Sequence, residues 1–242
     1  PLPEEMGDLG NVSVIMMQSN EFTGQLPEGI EALTSLEELD CSNNELNGPL
    51  PDGLFGLESL ASFRCSNNML TGSLSSEIGG LGDLTVFDVE RNALSGPLPP
   101  SIGNLSSLEE LRLGNNNFTD FLPEELYNLE SISVLDLSYN DFEGTISAAI
   151  GAFSNISEVL INHNRFSGPL PDEMGDLGNV SIMQVQSNEF TDQLPESIGA
   201  LMSLEELDCS NNQLNGPLPE ELFGLESLVY FSCSNNMLTG SL

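Results

Sequence analysis

Lysine is absent from this 242-residue chain and arginine occurs four times, against 38 Asp and Glu, for a formal net charge of −34. A field of that sign repels phosphate backbones, whose binding depends on Lys and Arg displacing counterions. It also repels the anionic cytoplasmic face of a membrane. Nucleic acid is therefore excluded as a partner, and no membrane contact by this segment is expected. Cations, neutral glycans and basic protein patches are what the charge permits. Trp is absent as well, and aromatics make up only 6% of the chain. No apolar run approaches the roughly 18 residues that a membrane span needs, and no signal peptide is visible. There is a single His, no Ser or Cys nucleophile beside a base, no glycine-rich phosphate loop and no cofactor fingerprint. Nucleophilic and cofactor chemistry thus lack their parts.

What the chain does have is a period. Asparagines stand at Asn20, Asn44, Asn68, Asn92, Asn116, Asn140, Asn164, Asn188, Asn212 and Asn236, an unbroken spacing of 24 residues. Around each runs apolar-x-apolar-x-x-Asn-x-apolar, as in Leu39-Asp40-Cys41-Ser42-Asn43-Asn44-Glu45-Leu46. This resembles the leucine-rich-repeat signature, whose period runs from about 20 to 29 residues. The apolar-x-apolar segment is a short strand with alternate residues pointing inward and outward. The Asn turns inward, where its amide satisfies backbone groups that the bend leaves unpaired. All ten are expected to be buried structural residues. Next comes Leu-x-Gly-x-Leu-Pro, as in Leu46-Asn47-Gly48-Pro49-Leu50-Pro51. Pro opens a short helical turn without forfeiting a hydrogen bond, and an acid often follows it at the positive end of that turn. The expected fold is an α/β solenoid: a right-handed superhelix of about ten turns, with one continuous parallel sheet on its concave side and short 3-10 turns on its convex side. Carboxylate pairs of the kind that cleave glycosides abound, but solenoid strands offer no pocket to raise one carboxyl's pKa. An enzyme is not expected.

The stretch Leu94-Ser95-Gly96-Pro97-Leu98-Pro99-Pro100-Ser101-Ile102-Gly103-Asn104-Leu105 resembles the plant-type extracellular leucine-rich-repeat family, which includes receptor-kinase ectodomains, receptor-like proteins and polygalacturonase-inhibiting proteins. The resemblance runs through all 242 residues. It implies a secreted or cell-surface location and leaves the ligand open. Asp120 and Asp192 depart from the pattern at the Gly, and Ser75 and Ser147 at the Pro. A longer period overlies the first: residues 1–74 and 169–242 align without a gap, 59 of 74 being identical at an offset of seven turns. Residues 1–168 and 169–242 are thus related by block duplication. The chain, which lacks polar capping turns, is expected to be an excerpt of a longer tandem array.

Cys41, Cys65, Cys209 and Cys233 all occupy the second apolar strand position. Adjacent parallel strands point such side chains the same way, so both pairs are expected to be unbridged core thiols. Asn11, Asn104, Asn117, Asn155 and Asn179 head Asn-x-Ser/Thr sequons and are candidate glycan sites. Metal ligands are not recognisable, and no cofactor is expected. Low-affinity calcium binding by rows of carboxylates is the one ion the composition leaves open.

Stacking turns one repeat position into a row. The exposed position between the apolar strand residues reads Asp40, Arg64, Asp88, Arg112, Asp136 over five turns, an alternation that avoids like charges in register. Each Arg is expected between two Asp. Just beyond the strand, most turns carry Ser, Asn or Gln, with Glu90, Arg91, Tyr139 and His163 as exceptions. With Arg112 and Asp136 these form the candidate binding patch, since planar, aromatic and charged groups are what recognition surfaces use. Two functions follow. One is an extracellular structural or adhesive array acting through protein or glycan contacts and self-associating into fibres or surface layers. The other is a ligand-binding ectodomain of a receptor-like protein or receptor kinase.

Overall fold

The computed structural model describes residues 1–240; residues 241 and 242, where the duplicated block ends, lie outside the described residues. Each 24-residue turn contributes a three-residue strand, from Val14–Met16 in turn one to Tyr230–Ser232 in turn ten, and the ten strands form one parallel sheet in chain order. Each turn also carries a five-residue 3-10 segment, from Glu4–Asp8 to Glu220–Gly224. Between sheet and 3-10 wall lies a single apolar core.

The ladder Asn stitches each turn to the one before. Nδ2 of Asn140 donates to the carbonyls of Leu113, Leu137 and Ser138 at 3.0, 3.2 and 3.1 Å, and its Oδ1 accepts the Phe118 N–H at 2.9 Å. One amide thereby serves two successive turns. All ten bond to backbone, but not all are buried. Asn116, Asn140, Asn188 and Asn212 are buried, Asn44, Asn68, Asn92, Asn164 and Asn236 half-buried, and Asn20 exposed. Asn20 reaches carbonyls of its own turn, Met17 and Gln18.

A second layer of strands was not expected. After each ladder Asn the chain pairs again, in an eight-stranded parallel sheet from Thr23–Gly24 to Glu189–Thr191, continued by the pair Asn215–Gly216 and Met237–Leu238. The strands are short and stop within two residues of a left-handed residue, so Leu-x-Gly reads as a turn when taken alone. At Gly144 the backbone has φ of 85°, and the exposed Phe121 ring fills the space where a Cβ would stand. Asp120 and Asp192 hold the same conformation at φ 67° and 62°, which Asp tolerates better than most residues. Ser75 and Ser147, standing where other turns have Pro, cap their 3-10 segments by accepting the N–H of Glu77 and Ala149. The glycine two residues beyond Ser101 has a different cause: a Cβ on Gly103 would lie 2.1 Å from the Glu125 carbonyl oxygen of the next turn.

Phenylalanine fills the second position after the ladder Asn in turns five to eight. Phe118, Phe142, Phe166 and Phe190 form a stacked column with centroids 5.9, 6.2 and 6.3 Å apart. Stacked pairs add about 0.5–1.5 kcal/mol beyond their burial.

The cysteines divide. Cys41 and Cys65 form a disulfide across Cα atoms 4.8 Å apart, contrary to the expectation of free thiols. Parallel side chains point the same way, yet a Cα separation inside the 4.4–6.8 Å bonding window leaves rotation about Cα–Cβ to bring the sulfurs together. Cys209 and Cys233 are free as expected. Burial pushes the Cys209 thiol up to about 12, leaving about one part in ten thousand as thiolate at pH 8. Iodoacetamide at pH 8 should therefore leave Cys209 unmodified in the native protein. Denaturation without reductant should expose two thiols, and with reductant four. Rapid native labelling of Cys209, or four thiols without reductant, would contradict the assignment.

Candidate functional site

Residues at alternate positions of a strand share a face, so each strand sends its first and third side chains outward, and the residue two further on joins them. The register puts Asp40 beside Arg64, Arg64 beside Asp88, Asp88 beside Arg112 and Arg112 beside Asp136. The alternating row exists as expected. Its ion pairs are different. Arg64 reaches Glu38 at 3.6 Å and Arg112 reaches Glu110 at 3.0 Å, rather than the flanking Asp. The Asp carboxylates instead close Asx turns at the strand ends: Asp40, Asp88 and Asp136 accept the N–H of Ser42, Glu90 and Ser138 at 2.9, 3.0 and 2.9 Å. A carboxylate that satisfies a backbone donor two residues on turns away from the cross-strand Arg.

Register alone still matters for charge. Arg64→Glu places three acids side by side and is expected to destabilise more than Arg64→Ala, by well under about 1 kcal/mol given the exposure. Equal thermal midpoints for the two variants at low salt would remove the row's electrostatic role.

Burial chiefly, then the charge of Asp136, push Glu90 above the usual carboxylate range, while Arg91 pulls it back. Asp88 is likewise raised by burial, against the N–H of Glu90, the Ser66 hydroxyl and the charges of Arg112 and Arg64. Burial works against the charge on Arg112, but its hydrogen bond to Glu110 and the carboxylates of Glu110, Glu158 and Asp88 hold it above its ordinary value. Asp136 is buried and also accepts the Ser138 hydroxyl at 2.7 Å. Both its oxygens stand 2.9 Å from where a Cβ on Gly114 would be, so the carboxylate of turn six occupies the space left by the glycine of turn five.

The residue before each ladder Asn is in the left-handed region throughout, with φ of 51–57°. Seven turns put Asn or Ser there; turns four, six and seven put Arg91, Tyr139 and His163. Arg91 lies over Glu90 at 3.1 Å. Tyr139 and His163, on adjacent turns, stack with centroids 4.1 Å apart and planes 12° apart, and Tyr139 is 48% exposed. His163 Nδ1 lies 3.1 Å from the Asn162 side-chain Nδ2. The structure thus joins Tyr139 to His163, Glu90 to Arg91, and Glu90 electrostatically to Asp136. It ties Arg112 to Glu110 instead.

Two residues of this face escaped the sequence reading. Asn162 and Gln186 fill the row of Ser138 and looked like ordinary polar filler. Their side-chain oxygens are buried and have no hydrogen-bond partner among the described residues. The only sequence signal was that Ser gives way to larger amides there. The five sequon residues Asn11, Asn104, Asn117, Asn155 and Asn179 are all exposed.

Family models for the leucine-rich repeat match residues 82–142 and, as single repeats, residues 35–57 and 203–225. The chain is a leucine-rich-repeat protein. No curated protein matches this leucine-rich-repeat chain by sequence. Among solved structures, the ectodomain of the Arabidopsis receptor kinase HAESA, in complex with a peptide hormone, is 32% identical over all of this chain and 44% of its own, with a TM-score of 0.84. The plant peptide hormone receptor RGFR1, in complex with RGF2, is 28% identical over 98% of this chain and 42% of its own, at 0.86. A leucine-rich-repeat protein of Leptospira interrogans is 32% identical over all of this chain and 59% of its own, at 0.81. The chain spans less than half the length of the two plant receptor ectodomains it matches. The two plant receptor ectodomains bear out the plant-type repeat read from Leu94–Leu105.

Proposed function

We propose that this chain is a non-catalytic recognition module working outside the cell, and that its ten-strand face between turns four and eight takes an extended peptide or a segment of a partner protein. The observation that carries this reading is the placement of Arg91, Tyr139 and His163 in left-handed backbone. A non-glycine residue held there costs of order 1–3 kcal/mol, and such strain concentrates at binding sites. Asn and Ser serve the turn in the other seven repeats, so the three larger residues are not needed for folding. HAESA and RGFR1, on the same fold, are found with peptide hormones, which supports a peptide or protein partner and an extracellular setting. The five exposed sequons support the same setting. A net charge of −34 favours a basic segment.

Panning a phage-displayed random peptide library on the wild type and on the Tyr139→Ser, His163→Asn variant tests the reading. Both replacements are native to the same position in other turns, so the fold should survive. The wild type should enrich one peptide family, and the variant should bind it at least tenfold more weakly. Equal binding overturns the reading. The near-identity of blocks seven turns apart favours a second reading, an adhesive array. No enrichment, together with self-association in light scattering, would put that reading ahead.

A further inference from the structure

The second apolar strand position holds Cys in turns two, three, nine and ten, and Met, Val, Leu or Ile in the others. Cys41 and Cys65 are bridged, whereas Cys209 and Cys233, seven turns on, are thiols. The backbone around the two pairs is nevertheless the same. Asp40 stands beside Arg64 in the sheet register, and Asp208 beside Ser232. A Cys follows each of these four residues directly. The N–H of Cys41 donates to the Arg64 carbonyl at 2.8 Å, and that of Cys209 to the Ser232 carbonyl at 2.8 Å. Nδ2 of Asn68 donates to the Cys41 and Cys65 carbonyls at 3.0 and 3.1 Å, as Nδ2 of Asn236 does to the Cys209 and Cys233 carbonyls at 2.9 and 3.1 Å. The first sulfur of each pair is placed alike. Cys41 Sγ lies 3.4 Å from the Arg64 carbonyl oxygen, and Cys209 Sγ 3.3 Å from that of Ser232. Between the two blocks Met17 gives way to Val185 at this position, while both Cys are kept.

We propose that Cys209 and Cys233 are a second disulfide site, closed by exchange with a small disulfide such as oxidised glutathione, and that the bond ties the last strand to the sheet. Matching backbone bonds give this pair the spacing of the first, whose Cα atoms lie 4.8 Å apart, inside the bonding window of about 4.4–6.8 Å. Burial, and next the charge of Cys233, push the Cys209 thiol up to about 12; the second cause acts only between close neighbours. Cys233 is partly exposed and Cys209 is buried, which sets the order of the steps. The Cys233 thiol loses its proton to solvent, and its sulfur attacks one sulfur of the oxidant, whose S–S bond breaks to release one thiolate. Cys209 then gives up its proton and attacks the Cys233 sulfur of the mixed disulfide, releasing the second thiolate. Both thiolates take up protons, so two protein thiols are oxidised and one small disulfide is reduced to two thiols. Cys209 is rarely a thiolate, but the sulfur it must reach is already held beside it. The strand Tyr230–Ser232 is the last in the sheet and pairs with one neighbour, Glu206–Asp208, so a covalent tie to the turn before holds it down. Such an exchange needs an oxidising medium, where structural disulfides persist, and no peptide ligand.

Oxidised glutathione added to the purified full chain, followed by intact mass and peptide mapping, tests this. The wild type should lose two hydrogens and yield a linked Cys209–Cys233 peptide, and amide exchange in Tyr230–Ser232 should then be several-fold slower. Val occupies the same strand position in turns four and eight, as Val89 and Val185, so Cys209→Val and Cys233→Val should both fold. Cys209→Val should keep one glutathione on Cys233, and Cys233→Val should stay unmodified because Cys209 is buried. A wild type that retains both thiols, holds glutathione on Cys233 without resolving it, or links Cys233 to a second copy overturns the proposal. So does glutathione on Cys209 in Cys233→Val, or exchange in the last strand that the bond leaves unchanged.

Discussion

Asn140→Ala is expected to lower stability by about 2–4 kcal/mol, because the lost amide leaves the buried Phe118 N–H without its acceptor and takes one donor each from the carbonyls of Leu113, Leu137 and Ser138, which keep Asn116 Nδ2, Asn164 Nδ2 and the Asn115 N–H. For a chain of this size that corresponds to a fall in thermal midpoint of roughly 5–10 °C. Asn20→Ala removes only two bonds to carbonyls of its own exposed turn and should cost under about 1 kcal/mol. Thermal melts of the two variants followed by circular dichroism check the contrast. Similar small losses for both would mean that the ladder follows the fold without holding it.

Phe142→Ala should cost about as much, on the order of 3–5 kcal/mol, through a cavity in the middle of the aromatic column. Phe142 is fully buried and stacks on Phe118 and Phe166 with interplanar angles of 7° and 10°. Phe142→Leu should cost much less, since Leu46, Leu70, Leu94 and Leu214 fill the same position in other turns and are buried there. The column lies in turns five to eight, behind most of the recognition face, so the alanine variant should also speed amide hydrogen exchange around Tyr139 and His163. A denaturant midpoint for Phe142→Ala no lower than that of Phe142→Leu would contradict the role of the column.

The 24-residue period sufficed to place the ten-strand sheet, the 3-10 wall and the ladder Asn, because each is fixed by one residue type at one phase. Features that depend on two turns at once were less legible. Gly48 and its equivalents read as turn residues, yet the backbone leading to each of them pairs with the neighbouring turn, so the second sheet went unseen. The Cys41–Cys65 bridge and the unbridged Cys209 and Cys233 share one sequence context, and direction alone was too coarse a criterion for a bond set by separation. The Asp-Arg row was read correctly in register, but the Asp carboxylates prefer the N–H groups two residues on, a local bond that outweighs an exposed ion pair. In the candidate patch, Tyr139 and His163 stood out by chemistry and are stacked. Asn162 and Gln186 did not stand out, since nothing in a polar residue's identity tells that its oxygen is buried and unpaired.

The most direct measurement is a paired one on Tyr139→Asn, His163→Asn. Two strained left-handed residues cost of order 1–3 kcal/mol each, whereas one stacked pair returns about 0.5–1.5 kcal/mol. Replacing both by Asn, the usual occupant, should therefore leave the thermal midpoint unchanged or raise it by a few degrees, while binding of library-selected peptides falls at least tenfold. A midpoint several degrees lower with peptide binding intact would show that the two rings serve the fold, and that the recognition face lies elsewhere.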